Sequence, residues 1–282
     1  MKRKRIPLRR ASGAAGSYLI LVFFSLMVLI PILWMVSTSF KTESETILIP
    51  PNWIPGQPTL GSYFRLWSEY PFLTYFKNSL IIVLGSMLLA TTASCFAGYG
   101  VSRFQFRGRQ AFMTFTLMTQ MFPSIMLLIP YYKVLATYGI KDTYIGMILV
   151  YVSFTIPFCS WMMTGFFRTI PLELDEAAII DGCSRFRAFW VIILPLTLPG
   201  IAATAIYSFI TGWNEYMFAQ VLINSPSLKT VPIGIAELNG FYKILWNDMM
   251  AASLISSVPL VLLFVFLQRS FISSLTAGAV KQ

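Results

Sequence analysis

Histidine is absent from the chain, and acids are scarce, with eleven Asp and Glu among 282 residues. Without imidazole the chain lacks the commonest metal ligand and the commonest general base at neutral pH. Cys95, Cys159 and Cys183 form no C-x-x-C pair, so they read as ordinary small thiols and not as a disulfide or a metal cage. The nucleotide-binding pattern G-x-x-x-x-G-K-[ST] is missing, as are H-E-x-x-H and G-x-S-x-G. Only Glu215 stands at the end of an apolar run, with no second carboxylate near it in sequence. No catalytic residue, metal site or bound cofactor is expected, and the chain alone is not expected to hydrolyse ATP.

What is present is grease. The composition is 56% hydrophobic and 11% charged, a balance that a soluble domain of this length could not carry without large exposed apolar patches. Covering a hydrocarbon core of roughly 30 Å takes about 20 mostly apolar residues in a helix. Six runs qualify, at about 17–40, 77–101, 111–135, 143–167, 190–217 and 250–270. Unbroken apolar runs mean helices and not barrel strands, because backbone groups in lipid must be satisfied within the segment. The fold class is therefore an all-α integral membrane protein with six spans. Pro31, Pro123, Pro130, Pro157, Pro195, Pro199 and Pro259 lie in or near them and predict kinks.

Six spans put the basic N-terminus "MKRKRIPLRR" (residues 1–16 in all) and the tail 271–282 on one side, with the loops "SRFQFRGRQ" and 168–189. With Arg269, at the very end of the last run, counted with the tail, fourteen of the twenty-one Lys and Arg fall there, so that side is expected to be cytoplasmic, in a bacterial or archaeal cell membrane. The net charge of +10 is split among short loops hugging the bilayer, which fits topology better than nucleic acid. The first apolar run is long and no A-x-A-like site follows it, so it reads as an uncleaved helix and not a signal peptide.

Outside, 41–76 opens with the Pro- and Gly-rich "KTESETILIPPNWIPGQPTL", which predicts no regular structure, and continues into an aromatic stretch that suits a short interfacial helix. The loop 218–249 holds a turn signal at Asn239-Gly240 between apolar residues. It either folds over the mouth of the bundle or offers a surface to an external partner.

Between spans four and five lies "ELDEAAIIDGCSRFRAFWVIILP", residues 173–195. Pro171 suits a first helical turn, Glu173, Asp175 and Glu176 suit the positive end of the dipole, and Gly182 suits the left-handed residue that ends a helix. A short helix over 172–182 is predicted, too short to stand alone in water. Leu174, Ala177 and Ala178 form a low face that could enter a groove of another protein. Residue chemistry alone leaves a second reading open, a mere turn of the chain back along the membrane.

The same stretch resembles the EAA loop, E-A-A-x3-G-x9-I-x-L-P, of permease subunits from binding-protein-dependent ABC importers: Glu176, Ala177, Ala178, Gly182, Ile192, Leu194 and Pro195 fall at the matching positions. With the six spans, "GWNEYMFAQVL" (212–222) and the tail "LTAGAVKQ" (275–282), the chain is similar to the maltose-transporter G-type branch, whose members import carbohydrates. The resemblance implies a 17–270 permease domain of the type I importer fold that supplies half the pathway. It implies as partners a second, different permease, two ATP-binding subunits that use ATP and Mg, and an extracytoplasmic solute-binding protein, with a carbohydrate as substrate and lipid around the spans. It makes 172–182 a coupling helix docked on the ATPase, with Leu174, Glu176, Ala177, Ala178, Gly182 and Pro195 as its residues. It also implies a contact of the tail (Thr276, Gly278, Lys281, Gln282) with the ATPase. Asn214 and Glu215 either cap and bond helices or line the translocation path. A self-contained secondary transporter is the alternative function, though it would call for intramembrane charges or paired broken helices in two halves.

Overall fold

The computed structural model describes the backbone of residues 8–240 and 243–279, and the side chains of 17–240 and 243–267. Among the described residues every regular element is helical, and one isolated bridge joins Asn239 to Ile244 across the expected turn. The chain divides into two compact units, residues 1–70 with 238–255, and residues 71–237 with 256–282.

In the first unit α1 (Leu8–Ser39) is, from Tyr18 to Leu33, apolar on all sides and exposed, as a helix bathed in lipid would be. Burial starts where it ends: Thr38, Ser39 and Lys41 are buried, with the Lys41 ammonium 4.0 Å from the centre of the Trp34 ring. Burial lowers the pKa of Lys41, against the pull of nearby Glu45. The Pro-rich stretch was expected to lack regular structure, but it begins with one turn of helix, α2 (Glu43–Thr46). Glu45 organises the rest, its Oε1 accepting the N–H groups of Gly56 and Gln57 at 2.9 and 3.1 Å. The expected interfacial helix is α3 (Gly61–Ser68), which buries Leu66 and carries Tyr63, Phe64 and Trp67.

The second unit is built on α4 (Phe72–Arg103). After it come α5 (Arg109–Met118), α6 (Leu128–Thr137) and α7 (Tyr144–Thr169). Small residues let α4 and α7 approach closely: a Cβ on Gly98 would lie 2.8 Å from that of Met163, and Ser160 Oγ donates to Ser94 Oγ at 3.3 Å. The loop after α7 holds α8 (Glu173–Ile180) and α9 (Arg185–Ala188). A π-helical segment (Phe189–Ile193) leads into α10 (Leu194–Leu196) and α11 (Leu198–Trp213). Beyond lie α12 (Met217–Leu222), α13 (Val231–Glu237) and the last helix, α14 (Trp246–Ala279), whose residues from 256 on belong to this unit.

Among the described residues four helices are long and apolar enough to cross a membrane, or six if each of two bent pairs counts as one span. The third span, expected as one run, breaks by 94° between residues 121 and 124, and the fifth bends by 75° at residue 197. Proline explains both. Phe122, which precedes Pro123, is driven to extended backbone (φ −77°, ψ 129°) and ends the first limb. Pro195 and Pro199, four apart, each remove a helical donor, and Leu194 N–H reaches back five residues to Phe189 O in the π segment. Pro31, Pro157 and Pro259 stay inside unbroken helices.

The segment 218–237 folds onto this unit. Phe218, Ala219, Leu222, Ile223 and Ile233 join Val83, Val150, Tyr151, Phe209 and Trp213 in its main core. Asn78 fastens it, donating from Nδ2 to the carbonyls of Ser227 and Lys229 at 2.9 and 2.8 Å.

Candidate functional site

The loop helix α8 starts just after Pro171 and carries three acids in its first turn. It ends as its sequence demands. Gly182 has φ +82°, its N–H bonds Ile179 O at 3.0 Å, and Cys183 N–H bonds Ala178 O at 2.9 Å, the paired bonds of a left-handed C-terminal cap. Ser184 caps the next turn by accepting Arg187 N–H.

Which side of α8 is free differs from the expected face. Ala178 is 2% exposed and turned into the chain's own core, so it is closed to a partner, whereas Leu174, Glu176 and Ala177 are exposed. Glu173, Ala177 and Ile180 share the outer side at helical spacing, and Ile180 is 85% exposed. Sequence reasoning missed Ile180, although an isoleucine following Glu-Ala-Ala in a loop is itself a signal. Pro195 lies in α10, away from α8 in sequence, and belongs to the bent fifth span.

The inner side of α8 carries a group that the sequence did not single out. Asp175 Oδ1 accepts from Tyr99 OH at 2.9 Å, and its Oδ2 lies 2.9 Å from Arg103 Nε. Arg103 is 6% exposed, and its Nη2 donates to Ile170 O at 3.0 Å, where α7 has just ended. Beside this cluster Arg185 stands over the Phe104 ring.

A second site is a cavity of about 1130 Å³ framed by the bent third span, α7, α11 and α12. Tyr131, Phe154, Tyr207 and Phe218 give it rings, and Gln120, Ser153 and Thr211 give it polar groups. Tyr131 OH and Ser153 Oγ bond each other at 2.5 Å, and Gln120 donates to Phe154 O at 3.2 Å. Glu215 lines the cavity, yet its carboxylate is occupied. Oε1 accepts Phe218 N–H at 2.8 Å, and Oε2 accepts Ala219 N–H and Tyr151 OH at 3.1 and 2.9 Å, so it caps α12. Asn214 does not line the cavity, and its Nδ2 bonds back to Ile210 O at 2.9 Å. Thr276 and Gly278 fall in α14, while Lys281 and Gln282 lie outside the described residues.

Residues 90–276 match the family described as binding-protein-dependent transport system inner membrane component. The chain is 38% identical over 263 residues to the trehalose/maltose transport system permease protein MalG of Thermococcus litoralis, covering 92% of this chain and 94% of that one. It is 34% identical over 275 residues to the inner membrane ABC transporter permease protein YcjP of Escherichia coli, covering 97% and 98%. In fold it resembles a chain from the crystal structure of a bacterial ABC transporter involved in the import of the acidic polysaccharide alginate, with a TM-score of 0.77 and 21% identity over 96% of this chain and 100% of the other. A helical membrane chain with an EAA-type loop helix between its fourth and fifth spans thus belongs to the binding-protein-dependent transport system inner membrane components, the permease subunits of ABC importers.

Proposed function

We propose that this chain forms half the pathway of an ATP-driven importer for a sugar or oligosaccharide and is driven by a separate ATPase docked on α8. The observation that carries the reading is the free outer side of α8, with Glu173, Ala177 and Ile180 turned out and Glu176 exposed beside them. An apolar tip ringed by carboxylates suits a groove that has basic residues at its rim. The complete importer would add a second, different permease, two ATP-binding subunits using ATP and Mg, and an extracytoplasmic solute-binding protein. Both termini would face the cytoplasm, with α14 bringing Thr276 and Gly278 towards the ATPase.

Carbohydrate as the cargo draws on the trehalose/maltose relative and on the cavity's chemistry. Rings can stack on the C–H faces of a sugar while Gln120, Ser153 and Thr211 meet its hydroxyls. Glu215 holds the cavity wall in shape and is not counted as a ligand.

The test is reconstitution with the partner subunits. A charge-assisted hydrogen bond from Glu176 would contribute roughly 1.5–3 kcal/mol to docking, so Glu176→Ala and Ile180→Asp should each weaken ATPase retention at least about tenfold. Wild-type retention and sugar uptake in both variants would remove the docking assignment. Single cysteines at 107 and 182 should react with an impermeant thiol reagent only from the cytoplasmic face, and those at 57 and 229 only from outside.

A further inference from the structure

The loop helix α8 is joined to its neighbours by two covalent links, 170–172 on one side and 181–184 on the other, the second passing through the left-handed Gly182. A short helix held only by such links swivels when pushed. Ala178, buried against the core, holds it by packing, and Asp175 adds an attachment of a different kind. It is in the first turn of α8, it is mostly buried (15% exposed), and both its oxygens face α4, taking Tyr99 OH on one and the Arg103 guanidinium on the other. Arg103 also holds Ile170 O, so one side chain ties the end of α4 to the end of α7 and to α8.

The attachment is backed by packing. The Tyr99 ring lies 4.7 Å from Phe189 and 5.6 Å from Phe167, centre to centre, so the hydroxyl that meets Asp175 is fixed by rings from α7 and from the π segment. The Arg103 Nε contact is an ion pair at 2.9 Å whose angle is too shallow for a hydrogen bond. Charge, which is non-directional, holds that side of the joint, so small rotations leave it closed. Packed side chains, ion pairs and rigid helices joined in this way are the kind of physical connection that can carry coupling from the site that is pushed to the element that moves.

We propose that Asp175, Arg103 and Tyr99 form a clasp that stays closed through the transport cycle and carries the movement of α8 directly into α4. The three are positioning residues: they touch neither sugar nor nucleotide. The proposal rests on the permease reading above and deepens it by naming how force leaves the docked helix.

The experiment uses the whole complex in proteoliposomes, with the ratio of sugar taken up to ATP hydrolysed as the readout. Asp175→Ala should retain the ATPase, because the outer side of α8 is untouched, and should lower that ratio about tenfold. Tyr99→Phe, which keeps the ring packing, should lower it two- to threefold. In a background with Cys183→Ser, Arg103→Cys with Asp175→Cys should be as poorly coupled as Asp175→Ala, and bridging the two thiols with short bis-methanethiosulfonates should bring the ratio back to within about twofold of wild type. A bridged complex that stops transporting until reductant is added would show that the clasp must open, and would overturn the proposal. So would wild-type ratios in both Asp175→Ala and Tyr99→Phe, or loss of the ATPase from Asp175→Ala, which would mean that the contact merely folds the helix. Failure of the permease reading looks different: the unmodified chain would then hold no ATPase and show no stimulated hydrolysis. If the alanine variant is not recovered as a folded chain in the membrane at all, Tyr99→Phe and the bridged pair decide.

Discussion

Arg65 and Asp248, 183 positions apart, meet in a two-pronged pair: Nε donates to Oδ2 at 3.1 Å and Nη2 to Oδ1 at 2.5 Å. Asp248 is 1% exposed and lies in the first turn of α14, while Arg65 reaches water from α3. The hydrogen bond to Asp248 raises the pKa of Arg65 above its already high value, so the guanidinium stays charged. Arg65→Ala takes the charged partner from a buried carboxylate and leaves it Tyr70 beside it, at a cost of about 3 kcal/mol, the low end for such a loss because the Arg65 side chain is itself one-third exposed. Thermal unfolding of the detergent-solubilised chain should show the drop, and Arg65→Lys should recover only part of it because a single ammonium cannot make both prongs. An unchanged melting temperature in Arg65→Ala would contradict this account.

At Gly98 α4 meets the backbone of α7, and an added Cβ would also lie 2.9 Å from the backbone of Met163 and Thr164. Backbone cannot swing aside as a side chain can. Gly98→Val should therefore cost at least about 1–3 kcal/mol by overpacking. Gly100, which meets nothing within 4 Å, should accept the same change with little loss of folded, detergent-soluble chain. Equal yields from the two variants would refute the close approach.

Asp142 sits at φ +59° and gathers three donors, the N–H groups of Asn224 and Ser225 and the Ser225 hydroxyl. Burial raises its pKa, but the bonds from Ser225 and Asn224 and the charge of Lys141 outweigh it, and the net direction is down from 3.8. A lowered carboxylate stabilises the fold above its unfolded value, and that contribution is lost as pH falls through the folded value. Amide exchange at Asn224 and Ser225, corrected for its intrinsic pH dependence, should be strongly protected at pH 7 and lose protection below about pH 4. In Asp142→Ala protection should be low throughout. Protection indifferent to pH in the unmodified chain would count against the clasping carboxylate.

At Gly182 the backbone is left-handed but the space around it is open. Substitution there tests conformation and not crowding. Asn should be tolerated, Ala should cost about 1 kcal/mol and Val more, in the order of their reluctance to adopt positive φ. Exchange of the Cys183 amide, which bonds Ala178 O across the cap, reads the order directly. A Val variant as well protected as the Asn variant would remove the left-handed cap.

Much of this was legible because it depended on local chemistry. The end of α8 follows from one glycine after an acid-led, alanine-rich turn, and the spans follow from apolar run length. The broken third span was only half legible: seven prolines predict kinks, but Pro123 breaks its span while Pro31, Pro157 and Pro259 do not, since neighbours decide whether freed carbonyls are satisfied. The inner face of α8 was not legible. Ala177 and Ala178 are identical in chemistry, and which of them is covered follows from how α8 packs on the rest of the chain, with Asp175 on its inner side meeting Tyr99 more than seventy positions away. Glu215 had two readings that the sequence left open; its three donors make it a cap, and it also stands on the cavity wall.

With its 32 residues, α4 is about 48 Å long, roughly 18 Å more than the hydrocarbon thickness it has to cross. It is a lever with both arms outside the oil. A tilt of about 10° around its middle carries the Arg103 end some 4 Å one way and the opposite end about as far the other, by simple geometry on that length. Near that opposite end stands Asn78, gripping the carbonyls of Ser227 and Lys229. With the proposed clasp closed, the segment folded over that end would be geared to α8 in reversed direction through α4 itself.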